Sequence, residues 1–302
     1  MKSYKKKRSI DLNIKPEILI AFGIFAAIIV LLLASDIGIG VGGCVATINI
    51  DGEISMQRVD GGLLSSAIPN AEDIANTIDE VAKKDSTKAI LIKINSPGGS
   101  VVGSRLIRNA LRRADVPTVA YLGEVAASGG YYIASGADYI VSDPNTITGS
   151  IGVIAVFTDA RDLLEKVGVN ITAVTSGKHK SMGSFFSGLD NESRAIVSSI
   201  INETYEEFVN VVEEGRGTRL NKKAFLAIAD GRILSGRQAN AIGMVDELGE
   251  PRDALNKARE LAGDKNLPSC NVKVKPSSEN GLSSMKLFND VLSKISGGIA
   301  LR

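Results

Sequence analysis

The stretch "KAILIKINSPGGSVVGSRLIRNALRRA", residues 88–114, holds a strand, a turn and a helix in succession. Its apolar run, Ile90 to Ile92 with Ile94, is short and continuous, the signature of a strand buried on both faces of a sheet. Pro97, Gly98 and Gly99 end that run. Glycines there permit a tight turn and let backbone N–H groups approach a ligand with no Cβ in the way. Such a turn is usually only a turn, and this one lacks the Lys-Ser/Thr ending of a phosphate loop. Beyond the turn, "GSRLIRNALRRA" reads as a helix.

The alternation continues on both sides. Upstream stand a strand, "CVATINIDGEI", and a helix, "NAEDIANTIDEVAKK". Downstream, "PTVAYLG" reads as strand, "GGYYIASGA" as a short helix, "DYIVSD" and "IGVIAVF" as strands, "ARDLLEKVG" as helix and "NITAVTS" as strand. Strands alternating with helices argue for a layered α/β domain with a largely parallel sheet. From Asn191 the pattern turns mostly helical, with "IVSSIINETYEEFVNVVEE" its longest segment. A chain of 302 residues that is 44% apolar can bury one large core or two small ones.

The N-terminus is different in kind. Six basic residues stand against Asp11 in the first fifteen, and "ILIAFGIFAAIIVLLLA", residues 18–34, comes next without a charge. As a helix this run spans about 26 Å, enough for a thin hydrocarbon core. It is longer than the apolar part of a signal peptide and no A-x-A site succeeds it, so it reads as an uncleaved anchor. The basic cluster keeps the N-terminus cytoplasmic and places everything after Asp36 outside. Formal net charge is +1, and with the basic start set aside the rest is net acidic, which leaves no basic field for nucleic acid. Cys44 and Cys270 lie far apart without metal or redox spacing, and unpaired structural thiols are preferred to a disulfide. Near the C-terminus, Leu287, Phe288, Val291, Leu292 and Ile295 share one helical face.

Chemistry points to a second glycine turn. "AASGG" comes after the strand "PTVAYLG" as "SPGGS" comes after the one before it, so two neighbouring strand ends each offer small residues leading into a helix. Ser128 would start its helix, either as a plain N-cap or as a nucleophile among free N–H groups. The pair of turns favours the nucleophile, because an oxyanion hole needs donors from two segments meeting at one point. The partner is less obvious. The single histidine, His179 in "SGKHKSMG", has no acidic residue near it in sequence before Asp190 to fix its tautomer. A neutral lysine can do the same work, and Lys178 and Lys180 are both candidates.

Taken in order, "NSPGGS", "AASGGYYIASGADYIV", "TITGSIGV", "SGKHKSMGSF" and "ADGRILSGRQANAIGMVDELG" resemble the signal peptide peptidase SppA family of Ser/Lys membrane proteases, over about residues 45–263. The resemblance implies a Clp/crotonase-like α/β fold, a spiral of ββα units, preceded by one N-terminal transmembrane helix. It makes Ser128 the nucleophile, Lys180 the general base and Ser150 the hydroxyl that orients the lysine, with Gly129 and the Gly98/Gly99 turn supplying oxyanion N–H groups. The residue after the base is often acidic in the family, whereas here it is Ser181. The implied organisation is a cytoplasmic basic segment at 1–17, an anchor at 18–36, a linker at 37–44, a Ser/Lys protease domain at 45–275 and a tail at 276–302. No metal or organic cofactor is expected. Hydrophobic peptides such as signal peptide remnants are the expected substrates, and a homo-oligomer with sites at protomer boundaries the expected assembly. Two rival readings are a regulatory protease of one membrane protein and a crotonase-like acyl-binding protein, whose fold also presents paired backbone donors to an acyl oxygen.

Overall fold

The computed structural model describes residues 43–59 and 68–276. The expected anchor, nearly all of the linker and the tail from residue 277 lie outside the described residues. No helix among the described residues is long and apolar enough to cross a membrane.

Eight strands form one sheet: β1 (Cys44–Asp51), β2 (Thr87–Ser96), β3 (Thr118–Ala127), β4 (Tyr139–Ser142), β5 (Ile147–Gly149), β6 (Ile233–Ser235), β7 (Glu247–Leu248) and β8 (Ser269–Asn271). The main path runs β6-β5-β3-β2-β1-β8, parallel throughout except for the β5–β6 pair. Strand β3 is shared. Its first half pairs with β4 from Val119↔Tyr139, and its second half pairs with β5 from Val125↔Ile147 to Ala127↔Gly149. The helices are α1 (Ala71–Ala82), α2 (Val101–Arg113), α3 (Gly129–Ala134), α4 (Arg161–Lys166), α5 (Asn191–Arg216), α6 (Lys222–Leu226), α7 (Gly236–Ala241) and α8 (Pro251–Leu261).

The period of two along β2 divides the core. Ile90, Ile92 and Ile94 join Ile78 of α1, Ile107 and Leu111 of α2, and Tyr131 and Ile133 of α3 in one cluster. Ala89 and Leu91 face the other way, into a smaller cluster with Ala254 and Ala258 of α8. Each such isoleucine, fully buried, contributes roughly 1.5–3 kcal/mol, so a one-residue slip of β2 would exchange two differently sized faces. The β2–β3 register breaks between Ile94 and Ser96, at the end of the sheet where both strands run into their glycine turns.

Three expectations are corrected. The runs "IGVIAVF" and "NITAVTS" form no strand: two successive left-handed residues, Gly149 (φ 74°) and Ser150 (φ 51°), turn the chain out of the sheet, leaving Ile154 86%, Val156 82% and Val174 96% exposed. Cys44 and Cys270 are a disulfide, with Cα atoms 5.9 Å apart. The reason is topological. β8 returns to the edge beside β1, setting Cys270 opposite Ala46. By loop-closure entropy, a cross-link over a sequence separation of 226 is worth up to about 5 kcal/mol.

Candidate active site

The two glycine turns meet. A Cβ added to Gly98 (φ 104°) would lie 2.7 Å from the Gly129 nitrogen and 2.9 Å from Ser128 Cβ, and one added to Gly129 would lie 2.3 Å from Ser104 Oγ and 3.3 Å from the Gly99 nitrogen. Only glycine permits this approach. The first turn is held from outside by Ile54, whose N–H donates to the Gly98 carbonyl (2.8 Å) and whose carbonyl accepts from Ser100 N–H (2.7 Å).

Ser128 stands at the junction of β3 and α3 with φ 51° and ψ −119°, a conformation rare outside glycine. Its N–H donates to the Gly149 carbonyl at 2.9 Å. Its hydroxyl does not cap α3 and bonds no other described residue, so the plain N-cap reading fails. Because β3 and β5 end in register at Ala127↔Gly149, Ser150 leaves the neighbouring strand end beside Ser128, with the same φ of 51°. Ser150 is fixed by its own N–H, which donates to the Arg232 carbonyl at 2.8 Å. Arg232 is clamped in turn by Asp230, whose carboxyl the guanidinium hydrogen bonds hold down at about 2. That gives the "ADGR" segment a physical task at the end of β5.

The proposed oxyanion donors are not equivalent. Gly98 N–H donates to the buried Ser96 Oγ at 3.1 Å and is spent there. Among the described residues the N–H groups of Gly99 and Gly129 have no partner, and the two glycines lie against one another where the turns meet. Ser96 carried no signal in the sequence, since its usefulness depends on burial at a strand end.

Lys180 is placed differently. It is exposed, it is absent from the walls of the cavity beside Ser128, and no hydrogen bond joins its amine to Ser128, Ser150 or any other described residue. Its neighbours are engaged: Lys178 pairs with Glu192, which raises the Lys178 pKa chiefly through their hydrogen bond, and His179 Nε2 lies 3.2 Å from the same carboxylate. Of the groups singled out in the sequence, the single chain brings Ser128, Ser150 and the glycine N–H groups together and leaves Lys180 without a bond to any of them. Among the described residues no group of three His, Cys, Asp or Glu side chains is placed to hold a metal ion.

A Clp-protease-like α/β sheet with a serine at a glycine-lined strand end defines a class, that of serine peptidases built on this fold. Residues 110–265 match the family model of peptidase family S49, and residues 66–147 match that of Clp protease. A protein of Synechocystis named as a protease is 43% identical over 70% of this chain and 75% of its own length, and one of Methanocaldococcus jannaschii 38% identical over 72% and 70%. A protein of Enterococcus faecium named as signal peptide peptidase SppA is 32% identical over 82% of this chain and 71% of its own length. Among solved structures, a variant of the membrane-bound stomatin-specific protease 1510-N superposes with a TM-score of 0.50 at 16% identity, covering 78% of this chain and 99% of that one, which speaks for the fold. The chain belongs to peptidase family S49 and is a serine peptidase.

Proposed function

We propose that this peptidase is a membrane-anchored endopeptidase with Ser128 as nucleophile and Lys180 as general base, cutting hydrophobic membrane-associated peptides such as signal peptide remnants outside the cytoplasm. The observation that carries the reading is the Ser128 hydroxyl, unengaged beside two unpartnered N–H groups. Ser128 Oγ attacks the scissile carbonyl while Lys180 Nζ takes its proton. The carbonyl oxygen, negative in the tetrahedral intermediate, is met by Gly99 and Gly129 N–H. Lys180 then gives the proton to the leaving amine, and water releases the acyl group. Ser150 Oγ accepts from the lysine amine and aims it. Lys178 is unsuited to the task, because its carboxylate partner keeps it charged.

The same residues favour a homo-oligomer. Lys180 has nothing to bond in its own chain among the described residues, and the segment carrying it exposes Ile154, Val156 and Val174, so a neighbouring protomer is the natural source of both cover and a serine. The charge-free run at 18–34 beside a basic N-terminus supports the anchor, and a disulfide suits an oxidising compartment. We read the domain as the ββα spiral of the Clp and crotonase group.

A fluorophosphonate probe together with four variants tests this. Wild type is expected to label, and Ser128→Ala and Lys180→Ala each to lose roughly 10³-fold or more in peptide cleavage, since the two act as a unit. Lys178→Ala and His179→Ala are expected to stay within a few-fold. A dead His179→Ala beside an active Lys180→Ala would overturn the assignment.

A further inference from the structure

The first glycine turn is a run of successive peptide groups, each held by one hydrogen bond. The Pro97–Gly98 group is held by its N–H, which donates to Ser96 Oγ at 3.1 Å. The Gly98–Gly99 group is held by its carbonyl, which accepts from Ile54 N–H at 2.8 Å, and the Gly99–Ser100 group by its N–H, which donates to the Ile54 carbonyl at 2.7 Å. A trans peptide sets its N–H opposite its C=O, and none of the described peptide bonds is cis, so the Gly99 N–H points away from Ile54. Of these bonds, the first alone depends on a side chain. We propose that Ser96 is a positioning residue of the oxyanion site: its hydroxyl takes the Gly98 N–H and so keeps the Gly99 N–H, rather than a carbonyl, presented to the substrate oxygen. The inference rests on the reading of Ser128 as nucleophile with Gly99 and Gly129 as donors.

A pair of glycines cannot hold such a direction by itself. Gly98 and Gly99 have φ of 104° and 143°, and without a Cβ other backbone conformations are within easy reach, so the peptide plane between them is free to turn over once its neighbours let go. Turned over, it would aim the Gly98 carbonyl dipole at a developing negative charge and replace attraction by repulsion. Loss of the Ser96 oxygen invites that change. Ser96 is 0% exposed, so bulk water is no substitute, and a Gly98 N–H left without an acceptor would draw the turn toward any carbonyl it could reach.

Ser96 can set the direction because the sheet holds it. It is the last residue of β2 and pairs with Ala126 of β3, two residues before Ser128. A Cβ added to Gly130 would lie 2.9 Å from the Ser96 carbonyl oxygen and 3.6 Å from Ser96 Cβ, so the same residue also abuts the start of α3. One buried side chain thus registers the donor turn against the strand end that carries the nucleophile. The other hydroxyls next to the turn are committed elsewhere: Ser100 Oγ accepts from Gly103 N–H at 3.1 Å, and Ser104 Oγ donates to the Ser100 carbonyl at 2.9 Å.

The test uses the full chain, with competent sites counted by fluorophosphonate labelling so that kcat is stated per labelled serine. Ser96→Ala removes the acceptor, and Ser96→Cys keeps a side chain of similar size that accepts only weakly. Each is expected to lower kcat per site about 10- to 100-fold, less than the loss of a whole oxyanion donor, with KM within threefold of wild type. Binding of a peptide aldehyde, whose adduct with Ser128 places an oxygen in the same site, should weaken by the same factor as kcat. A residue that merely supported the fold would reduce the number of labelled sites or raise KM and leave kcat per site alone. Either variant turning over within threefold of wild type per site, or losing affinity without losing kcat, overturns the proposal. Amide exchange on wild type decides the matter even if both variants fail to fold: Gly98 N–H is expected to be protected with or without the aldehyde, and Gly99 N–H only with it. Protection of Gly98 that appears only with the aldehyde would make Gly98 the donor and end the role of Ser96. Labelling and cleavage that survive Ser128→Ala remove the nucleophile assignment, and Ser96 with it, whereas a Ser128-dependent enzyme indifferent to Ser96 loses only the positioning role.

Discussion

Ser128 and Ser150 are the non-glycine residues with positive φ among those described, and each costs of order 1–3 kcal/mol to hold. Both sit one residue past the paired ends of β3 and β5, where the sheet's register fixes them whatever their own preference. Gly98 makes this corner possible, and it yields a direct test. Gly98→Ala would force a methyl to within 2.9 Å of Ser128 Cβ and 2.7 Å of the Gly129 nitrogen, displacing nucleophile and donor together. Its kcat/KM is expected to fall roughly 10²- to 10³-fold, the scale of losing one oxyanion donor. Gly263→Ala is the control, since Gly263 also has positive φ (78°) yet a Cβ there meets nothing within 4 Å. It should lower stability by about 1–2 kcal/mol through backbone conformation alone and leave kcat/KM unchanged. A Gly98→Ala enzyme within threefold of wild type would show that the two turns do not act as one corner. At this scale the sequence singled out Ser128 through the pairing of two glycine turns, because a serine among small residues is by itself also a common helix cap. It was silent on Ser96 capturing the Gly98 N–H, since nothing in "INSPGG" says which hydroxyl is buried.

Among the elements, β1 to β4 were legible because their side chains alternate between two buried faces of one sheet, and a local pattern suffices to reveal that. The runs at 151–157 and 170–176 carry strand-like patterns and are not strands, because strand formation needs a partner edge and the chain has turned away at Gly149 and Ser150. Pairings between distant segments were likewise hidden. The Cys44–Cys270 bond depends on β8 returning to β1, and the burial of Arg216 depends on the loop before β7 folding back under α5. There the Arg216 guanidinium grips Asp246 with two hydrogen bonds, 2.9 and 2.6 Å, donates to the Gly243 carbonyl, and is 1% exposed. Asp246 also accepts from Ile140 N–H of β4 at 2.7 Å, so one carboxylate ties helix, loop and sheet. Asp246→Ala strands a buried guanidinium and is expected to cost about 3–5 kcal/mol in chemical unfolding. The double change Arg216→Met with Asp246→Leu removes both charges and should recover most of that loss. A single variant losing under 1 kcal/mol would mean that water or another carboxylate reaches Arg216.

For the whole molecule, the proposed serine and lysine stand in two differently packed parts of the chain. The 151–190 segment carries the lysine and some of the most exposed apolar side chains of the chain, while the serine corner lies in the best-packed part of the sheet. A head-to-tail assembly would satisfy both, laying the segment of one protomer over the Ser128 corner of the next, a heterologous contact that closes into a ring when the rotation allows. Mixing the inactive variants Ser128→Ala and Lys180→Ala then has a calculable result. A boundary works only if one chain contributes an intact serine and its neighbour an intact lysine. Random assembly from equal amounts makes each condition true half the time, so about one quarter of wild-type activity should return in such a ring. Dissociation before mixing, with mixed oligomers verified by mass, ensures that the subunits exchange. A pair contained within one chain cannot be rebuilt this way, because every subunit in the mixture lacks one of its own two groups. Mixed oligomers as inactive as either parent would therefore place Lys180 beside the Ser128 of its own chain, and would require the 151–190 segment to fold back across the end of β3.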